Sequence, residues 1–88
     1  MKLSEVLEII NSRGWDKQPT PYNEHLYIFW NVGWMDALYG MDCKRFSFVE
    51  KDGEVEKIDV TIYDSKWGVP ETTFKEIKDM HDIYFYID

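Results

Sequence analysis

The sequence predicts an α+β fold, a two-layer sandwich in which two helices cover one face of a mainly antiparallel sheet of four to five strands. Three observations lead to this prediction. Apolar residues near the start of the chain recur at helical spacing, several later segments are rich in aromatic and β-branched residues, and an Asp-Gly pair separates two of those segments. The predicted order of elements is α-β-(β)-β-β-α-β, within a single domain that spans residues 1–88.

The first helix is predicted from Leu3, Val6 and Ile10, which fall on one helical face, with Ser4 as the N-terminal cap. Gly14 follows at the position where a helix commonly ends on a left-handed residue. The prolines of residues 18–21 cannot continue a helix, so this stretch is predicted to be a loop.

A strand is predicted over residues 25–30, because this segment is rich in aromatic and β-branched side chains. Successive side chains of a strand point to opposite faces of the sheet. The alternation therefore separates two sets of residues, with Leu26, Ile28 and Trp30 toward the helices and Tyr27 and Phe29 away from them.

Residues 34–39 are compatible with either a helix or a strand. Their Met, Ala and Leu residues favour a helix, and Trp34, Leu38 and Met41 fit the helical period. The short Asn-Val-Gly link before the segment instead suits a hairpin with glycine in the left-handed position. We favour a strand and leave the helix as the alternative, and Gly40 ends the segment in either case.

A β-hairpin is predicted over residues 44–63, with its turn at the Lys-Asp-Gly sequence of residues 51–53. A two-residue Asp-Gly turn would set apolar side chains opposite charged ones. A three-residue loop with a bulge, and with its glycine at positive φ, pairs Phe46 with Ile58. This register gathers the apolar residues of both strands on one face: Phe46, Phe48, Ile58, Val60 and Ile62.

The last third of the chain is predicted to contain a loop, a helix and a strand. The loop covers residues 64–70, and the second helix follows it, with a capping box at residues 73–76. The final strand is predicted over residues 82–88 from its alternation, in which Ile83, Phe85 and Ile87 face the helices while Tyr84 and Tyr86 face away.

The composition combines many aromatic residues with a strong negative charge. Phe, Trp and Tyr together number 15 (5 + 4 + 6), and the formal net charge is −7. Residues 1–49 carry six acids and five bases, a charge of −1, whereas residues 50–88 carry eleven acids and five bases, a charge of −6. This balance disfavours direct binding to nucleic acid and favours a protein partner with a basic surface.

The chain shows no apolar run long enough to cross a membrane, no apolar stretch typical of a signal peptide and a single cysteine, Cys43. A reducing, cytoplasmic location without membrane association is therefore expected. His25 and His81 belong to no spaced metal signature, no family pattern surrounds Cys43, and no glycine-rich phosphate loop is present. We expect no catalytic residue, no metal and no cofactor, so the chain is not predicted to be an enzyme.

The aromatic residues predicted to face away from the helices form the first candidate site. Tyrosine and tryptophan are favoured at protein interfaces, and a contiguous exposed patch of rings on a monomer commonly marks an interaction surface. Two acids of the hairpin would support it electrostatically. The predicted partner-binding residues are Tyr27, Phe29, Tyr63, Tyr84, Tyr86, Glu54 and Glu56. A second small core or a homodimer would also cover such a face.

A second candidate site is an aromatic pocket for a small ligand, built from Trp30, Trp34, Tyr39 and Trp67. We rank it below the first. The favoured function is a non-enzymatic protein-interaction module, a small acidic inhibitor that blocks the basic surface of a nuclease or of a nucleic-acid-binding complex. Its size and charge are typical of immunity proteins and of phage anti-defence proteins, although no motif connects it to either. The alternative function is small-ligand binding.

Overall fold

The computed structural model describes all residues from 1 to 88 and confirms the α+β class and the antiparallel sheet. Three short helical segments accompany six strands, more strands than the sequence predicts. The helices are α1 (Leu3–Ser12), α2 (Trp34–Ala37) and a C-terminal 3₁₀ helix (Met80–Phe85). The strands are β1 (Asp16–Gln18), β2 (Leu26–Trp30), β3 (Cys43–Lys51), β4 (Glu54–Val55), β5 (Ile58–Lys66) and β6 (Val69–Ile77).

The strands form one sheet in the order β1-β2-β3-β5-β6, and the short β4 pairs with β3 and, through an isolated bridge, with Lys2. Every pairing is antiparallel. The two edges of the sheet are therefore β1, which has three residues, and β6, which has nine. The long β3 lies at the centre and pairs with both β2 and β5.

The first helix is where the sequence places it, although its cap differs. Lys2, not Ser4, occupies the N-cap position and provides no side-chain hydrogen bond. Val6 and Ile10 are buried on the helical face that the spacing predicts. Gly14 follows the helix at a φ of 73°, in the left-handed region, as expected for a helix end.

The prediction of a strand at residues 34–39 is wrong, because residues Trp34–Ala37 form the short helix α2. The side chain of Asp16 on β1 accepts a hydrogen bond from the backbone N–H of Trp34 at 2.8 Å. This bond satisfies one of the free N–H groups at the start of a helix. The helix-favouring composition of the segment is thus supported by a contact from a distant strand, which the local link residues do not reveal.

The central hairpin confirms the predicted face but corrects the loop. Lys51 pairs with Glu54, so the turn contains two residues, Asp52 at a φ of 52° and Gly53 at 78°. The extra residue lies beyond the turn. Glu50 pairs with Val55, yet Ser47 pairs with Asp59 and Phe46 with Val60 rather than with Ile58, so β5 gains one residue over β3 between these pairs.

A bulge after the turn satisfies the same constraint as a longer turn. One extra residue anywhere on the second arm of the hairpin brings its apolar set onto the face of the first arm. Phe46, Phe48, Ile58 and Val60 are all buried on one face, and the partly buried Ile62 packs against them.

The predictions for the last third of the chain are wrong in all three elements. Residues 64–70 are not a loop, since β5 continues to Lys66 and a tight turn at Trp67 and Gly68 leads directly into β6. Residues 73–76 belong to strand β6 and not to a capped helix. The pairing of all nine residues of β6 with β5 outweighs the local helical signal.

The last segment forms a 3₁₀ helix instead of a strand. Ile83 and Ile87 are buried, and the backbone N–H of Ile87 donates to the carbonyl of Ile83 at 3.0 Å, whereas Phe85 is exposed. The side chain of Asp79 caps the helix by accepting a hydrogen bond from the backbone N–H of His81 at 2.9 Å. The period-two alternation of this segment therefore has no structural counterpart.

The main core lies between one face of the sheet and the layer formed by α1 and the 3₁₀ helix. The rings of Trp15 and Phe46 stack at its centre, with 4.3 Å between their centroids. The indole N–H of Trp15 donates to the carbonyl of Ile87 at 3.0 Å, which ties the end of the chain to this core. The buried members are Val6, Ile10, Trp15, Phe29, Phe46, Phe48, Val55, Ile58, Val60, Ile77, Ile83 and Ile87.

The other face of the sheet is only partly covered. Helix α2 packs there over a small second cluster of Trp30, Ala37 and Cys43. The helices are thus not all on one face, and the predicted two-layer arrangement holds only for α1 and the 3₁₀ helix.

Replacement of Gly53 by alanine should lower the free energy of unfolding by about 1 kcal/mol. An added Cβ would meet no atom within 4 Å, so the cost arises from the left-handed backbone alone. Chemical denaturation measures the change. Gly53→Asn is the matched control and should cost less, because asparagine tolerates this conformation better than alanine does. Equal stability of the alanine variant and the parent would contradict the prediction.

The contact between His25 and Glu50 should make stability depend on pH. His25 Nδ1 lies 2.6 Å from Glu50 Oε1, and this hydrogen bond raises the pKa of His25 above its ordinary 6.5. The same bond, with a further one from the Gly53 N–H, lowers the pKa of Glu50 below its ordinary 4.5. The stability that His25 contributes to the folded state is complete below pH 6.5 and is lost as the pH rises through the raised pKa of His25. The stability that Glu50 contributes is lost as the pH falls through the lowered pKa of Glu50.

The melting temperature of the parent should therefore exceed that of His25→Gln most clearly at about pH 5.5, and the difference should shrink by about pH 8.5. Thermal melts across this range provide the test. Glu50→Gln should make the melting temperature depend less on pH over the same range, because it removes the carboxylate that His25 contacts. A difference between parent and His25→Gln that stays constant with pH would contradict the assignment.

Candidate functional site: a cleft on the partly covered sheet face

The aromatic residues predicted to share one exposed face are not brought together. Tyr27 pairs with Phe48 and Phe29 with Phe46, so both side chains lie on the core face, and Phe29 is buried. Both residue sets of β2 are apolar, and alternation alone does not say which set faces the core. The prediction chose the wrong set, and Leu26, Ile28 and Trp30 occupy the second face instead.

The three other tyrosines occupy two further places. Tyr63 lies on the second face, opposite Cys43, as predicted. Tyr84 lies on the 3₁₀ helix and is exposed, and Tyr86 caps that helix and packs partly against the main core. They do not project from one strand, because no strand forms there.

The two acids assigned to the same surface, Glu54 and Glu56, are exposed at and after β4 near the tip of the central hairpin. A role for any of these seven residues in binding a partner stays a prediction.

A cleft of about 520 Å³ opens on the second face of the sheet. Ala37, Leu38 and Met41, from α2 and the loop after it, line one side. The ends of β5 and β6 that meet at the Trp67-Gly68 turn line the other side, through Ser65 and Pro70 among others. The floor consists of residues from the three central strands, namely Ile28, Trp30, Arg45 and Tyr63.

Strand register assembles the floor from distant parts of the sequence. Trp30 on β2 lies directly opposite Arg45 on β3, and Tyr63 on β5 lies opposite Cys43, one diagonal step from Arg45. The guanidinium carbon of Arg45 is 5.5 Å from the Trp30 ring centroid and 5.8 Å from the Tyr63 ring centroid. The two rings are 5.8 Å apart and stacked. Cation–π attraction therefore holds the arginine in place.

The hydrogen-bonding capacity of Arg45 is mostly unused. One Nη2 N–H donates to Thr61 Oγ1 at 3.2 Å, and the buried Nε–H has no partner. No carboxylate lies within ion-pair distance of the guanidinium, although acids outnumber bases in the chain. A guanidinium carries five N–H donors, and those of its Nη atoms suit a carboxylate or carbonyl oxygen. The cleft thus presents a half-buried cation beside two rings.

Polar contacts hold the walls of the cleft. Ser65 Oγ on β5 donates to Asp42 Oδ1 at 3.1 Å, which links the loop after α2 to the β5–β6 arm. Trp30 Nε1 donates to Gln18 Oε1 at 2.8 Å and fixes the indole of the floor. The backbone N–H of Lys44 donates to Asn31 Oδ1 at 2.8 Å, at the start of the segment that carries α2.

Large apolar side chains surround the opening. Leu38 and Met41 line the cleft and are exposed. Tyr39 lies between lining residues of the α2 loop and is also exposed. At the turn that joins the two strands of the opposite wall, Trp67 is fully exposed. We call these four residues the apolar rim.

The residues of the predicted ligand pocket are distributed around this cleft, and only one of them lines it. Trp30 lies in the floor. Trp34 is half-buried against the Trp30 cluster, while Tyr39 and Trp67 belong to the apolar rim. Sequence reasoning missed Arg45. Its signal was available, because the predicted hairpin places residue 45 on the face opposite Phe46, which is also the face of Tyr63.

The titratable side chains elsewhere do not converge on a reacting centre. His81 Nδ1 lies 3.0 Å from Asp79 Oδ1, both exposed, and the hydrogen bonds from His81 lower the pKa of Asp79. Burial raises the pKa of the Cys43 thiol, and the nearby charge of Asp42 raises it further. No group of three His, Cys, Asp or Glu side chains is arranged to hold a metal ion.

Comparisons with protein-family models, with curated proteins and with solved structures find no match to this chain. None of its helices is both long and apolar enough to span a membrane.

Cys43 should react slowly with a thiol reagent in the folded protein, because its side chain is buried and its pKa is raised. Labelling with Ellman's reagent should be at least about 100 times faster after denaturation. Ser65→Cys on the cleft wall, in a Cys43→Ser background, is the exposed control and should react at once. Rapid labelling of native Cys43 would instead indicate an accessible, activated thiol.

Proposed function

We propose that this chain is a non-enzymatic protein-interaction module that binds its partner through the cleft and the apolar rim. The observation that carries the proposal is the concentration of exposed large apolar side chains around a cleft with an arginine floor. Exposed apolar patches of this kind are typical of interaction sites, and tryptophan, tyrosine and arginine are the commonest residues that dominate binding energy.

The charge around the cleft supports a partner with a basic surface. Asp42, Asp64 and Glu71 line the cleft, and Asp36 is exposed on α2 beside it. Acids at the margin of an interface steer a basic partner toward it and discriminate against acidic ones. We place the chain in the class of small acidic inhibitors that block a nuclease or a nucleic-acid-binding complex. The immunity and phage anti-defence types remain the proposed examples, on the basis of size and charge.

Small-ligand binding is the second candidate, because the cleft volume of about 520 Å³ lies within the range of ligand pockets. Trp30 and Tyr63 would provide apolar contact, and Arg45 would bind an anionic group. The extent of the apolar rim favours the protein partner. A ligand that fills the cleft would leave Trp67 and Tyr39 in water.

Affinity capture with the tagged chain, from cells of its native source, tests the proposal. Leu38→Glu combined with Met41→Glu should weaken binding of the captured partner by about 30-fold or more, as expected for loss of central apolar contacts. Phe85→Glu is the matched control, since Phe85 is also an exposed large apolar residue but lies on the 3₁₀ helix. It should leave binding unchanged.

Two further measurements separate the alternatives. Binding to a basic partner should weaken as salt concentration rises, and nucleic acid should compete for the same partner surface. Tyr84→Ala addresses the interface first predicted from the sequence, and loss of binding in this variant alone would move the interface to the 3₁₀ helix. A small molecule that changes Trp30 fluorescence, but not that of a Trp30→Phe variant, would favour the ligand-binding candidate.

A further inference from the structure

Strand β6 is a long, open edge of the sheet. It pairs with β5 along all nine residues and has no strand on its other side. None of its backbone groups makes a hydrogen bond outside the strand ladder. The backbone groups directed away from β5 therefore have no partner within the chain, although Pro70 provides only a C=O because proline has no N–H, and such an edge is a template for another strand. The opposite edge, β1, has only three residues.

The sequence of β6 suits antiparallel pairing with a second copy of itself. A two-fold axis perpendicular to the sheet does not exchange the two faces of the sheet, and residues directly opposite each other in an antiparallel pair lie on the same face. Side chains alternate between the faces along a strand, so an even residue can oppose only an even one and an odd residue only an odd one. The axis must therefore pass through a residue and not between two residues. The register centred on Thr73, the middle of Val69–Ile77, is also the one that pairs the whole strand.

Charge distinguishes the Thr73 register from its neighbours. It sets Glu71 of each copy opposite Lys75 of the other, which produces two complementary pairs. A register centred on Glu71 would oppose two glutamates, and one centred on Lys75 would oppose two lysines. Registers centred on Thr72 or Phe74 leave Glu71 and Lys75 opposite uncharged residues, and Glu76 lies opposite an uncharged residue in the Thr73 register as well. Opposite charges directly across an antiparallel pair stabilise it, and like charges destabilise it.

Glu71 and Lys75 are available for such pairing. Glu71 and Lys75 are both exposed on the core-side face of β6, since Lys75 pairs with Val60 and Glu71 with Asp64 of β5. Within the chain Lys66 Nζ lies 3.8 Å from one oxygen of Glu71, which leaves the other oxygen free. Lys75 has no carboxylate within ion-pair distance.

Phe74 provides the apolar contact. Its side chain is 73% exposed and lies on the second face, where Phe74 pairs with Thr61 of β5. In the Thr73 register Phe74 lies opposite Thr72 of the other copy and diagonal to the other Phe74. Diagonal neighbours across a strand pair are within reach of aromatic side chains. The two exposed rings would therefore cover each other across the two-fold axis.

We propose that two copies of this chain associate through β6 in the antiparallel register centred on Thr73. The product joins the path β1-β2-β3-β5-β6 of each copy into one continuous run of ten strands, with the short β4 of each copy beside its β3. The contact area of one strand pair is small, so the association is of the weak class. It uses the edge of the sheet and shares Glu71 with the lining of the cleft, whereas Leu38 and Met41, whose variants test partner binding, lie on the opposite wall.

Sedimentation equilibrium from about 1 to 500 µM tests the dimer, with salt kept at about 0.1 M because the charge pairs are exposed. The parent should show a monomer–dimer equilibrium. Lys75→Glu alone and Glu71→Lys alone each create two like-charge pairs and should weaken the dimer at least about tenfold. A mixture of the two variants restores both complementary pairs and should form the heterodimer. Far-UV circular dichroism and melting temperature confirm that each variant is folded.

A cysteine at the two-fold axis provides a second test that reports the register. In a Cys43→Ser background, Thr73→Cys places two thiols directly opposite each other, at a Cα separation that a disulfide can bridge. It should crosslink under mild oxidation. Glu76→Cys is the control, because it lies opposite residue 70 of the other copy, about 20 Å along the strand from its equivalent. It should not crosslink.

Several results would overturn the proposal. A parent that remains monomeric at 500 µM contradicts it, and so does a dimer that neither single charge reversal weakens or that the mixture fails to restore. Equal crosslinking of Thr73→Cys and Glu76→Cys excludes this register. These outcomes are independent of the proposed function, which the Leu38 and Met41 variants test separately.

Discussion

The structure depends on the register in which β3 pairs with β5. Phe46 lies opposite Val60, and this pairing is reached only because one extra residue is inserted after the hairpin turn. With that insertion the apolar side chains of both strands enter the same core, where Phe46 stacks on Trp15. A shift of one residue would turn every side chain of β5 to the other face. The main core and the second face are therefore determined by the same pairing.

The same register builds the cleft. Because side chains alternate along β3, the residue next to the buried Phe46 is Arg45, which points to the second face between Trp30 and Thr61. A half-buried guanidinium without a carboxylate partner, and with a buried Nε–H that makes no hydrogen bond, is costly for folding. The two neighbouring rings offset part of that cost.

Local signals in the sequence were sufficient for the elements that depend mainly on local chemistry. The α1 spacing, the left-handed Gly14 and the turn at Gly53 are all present, because each follows from side-chain period or from the φ that glycine permits. The choice of face along β2 was wrong, since both of its residue sets are apolar. The helical signal at residues 73–76 also misled, because pairing along the whole of β5 outweighs one capping pattern. The alternation of apolar and polar residues over 82–88 likewise does not produce a strand, because the segment forms a 3₁₀ helix that packs Ile83 against the core together with Ile87.

By itself the sequence determined the α+β class, the N-terminal helix, the central hairpin with its apolar face, and an acidic chain rich in rings. Only the tertiary structure decided which aromatic side chains are exposed, where the cleft lies and that Arg45 forms its floor. The reason is physical. Helical and turn preferences act over a few neighbouring residues, whereas the floor joins residues 30, 45 and 63 through strand register. That register is set by the burial of the whole sheet face, so no single segment specifies it.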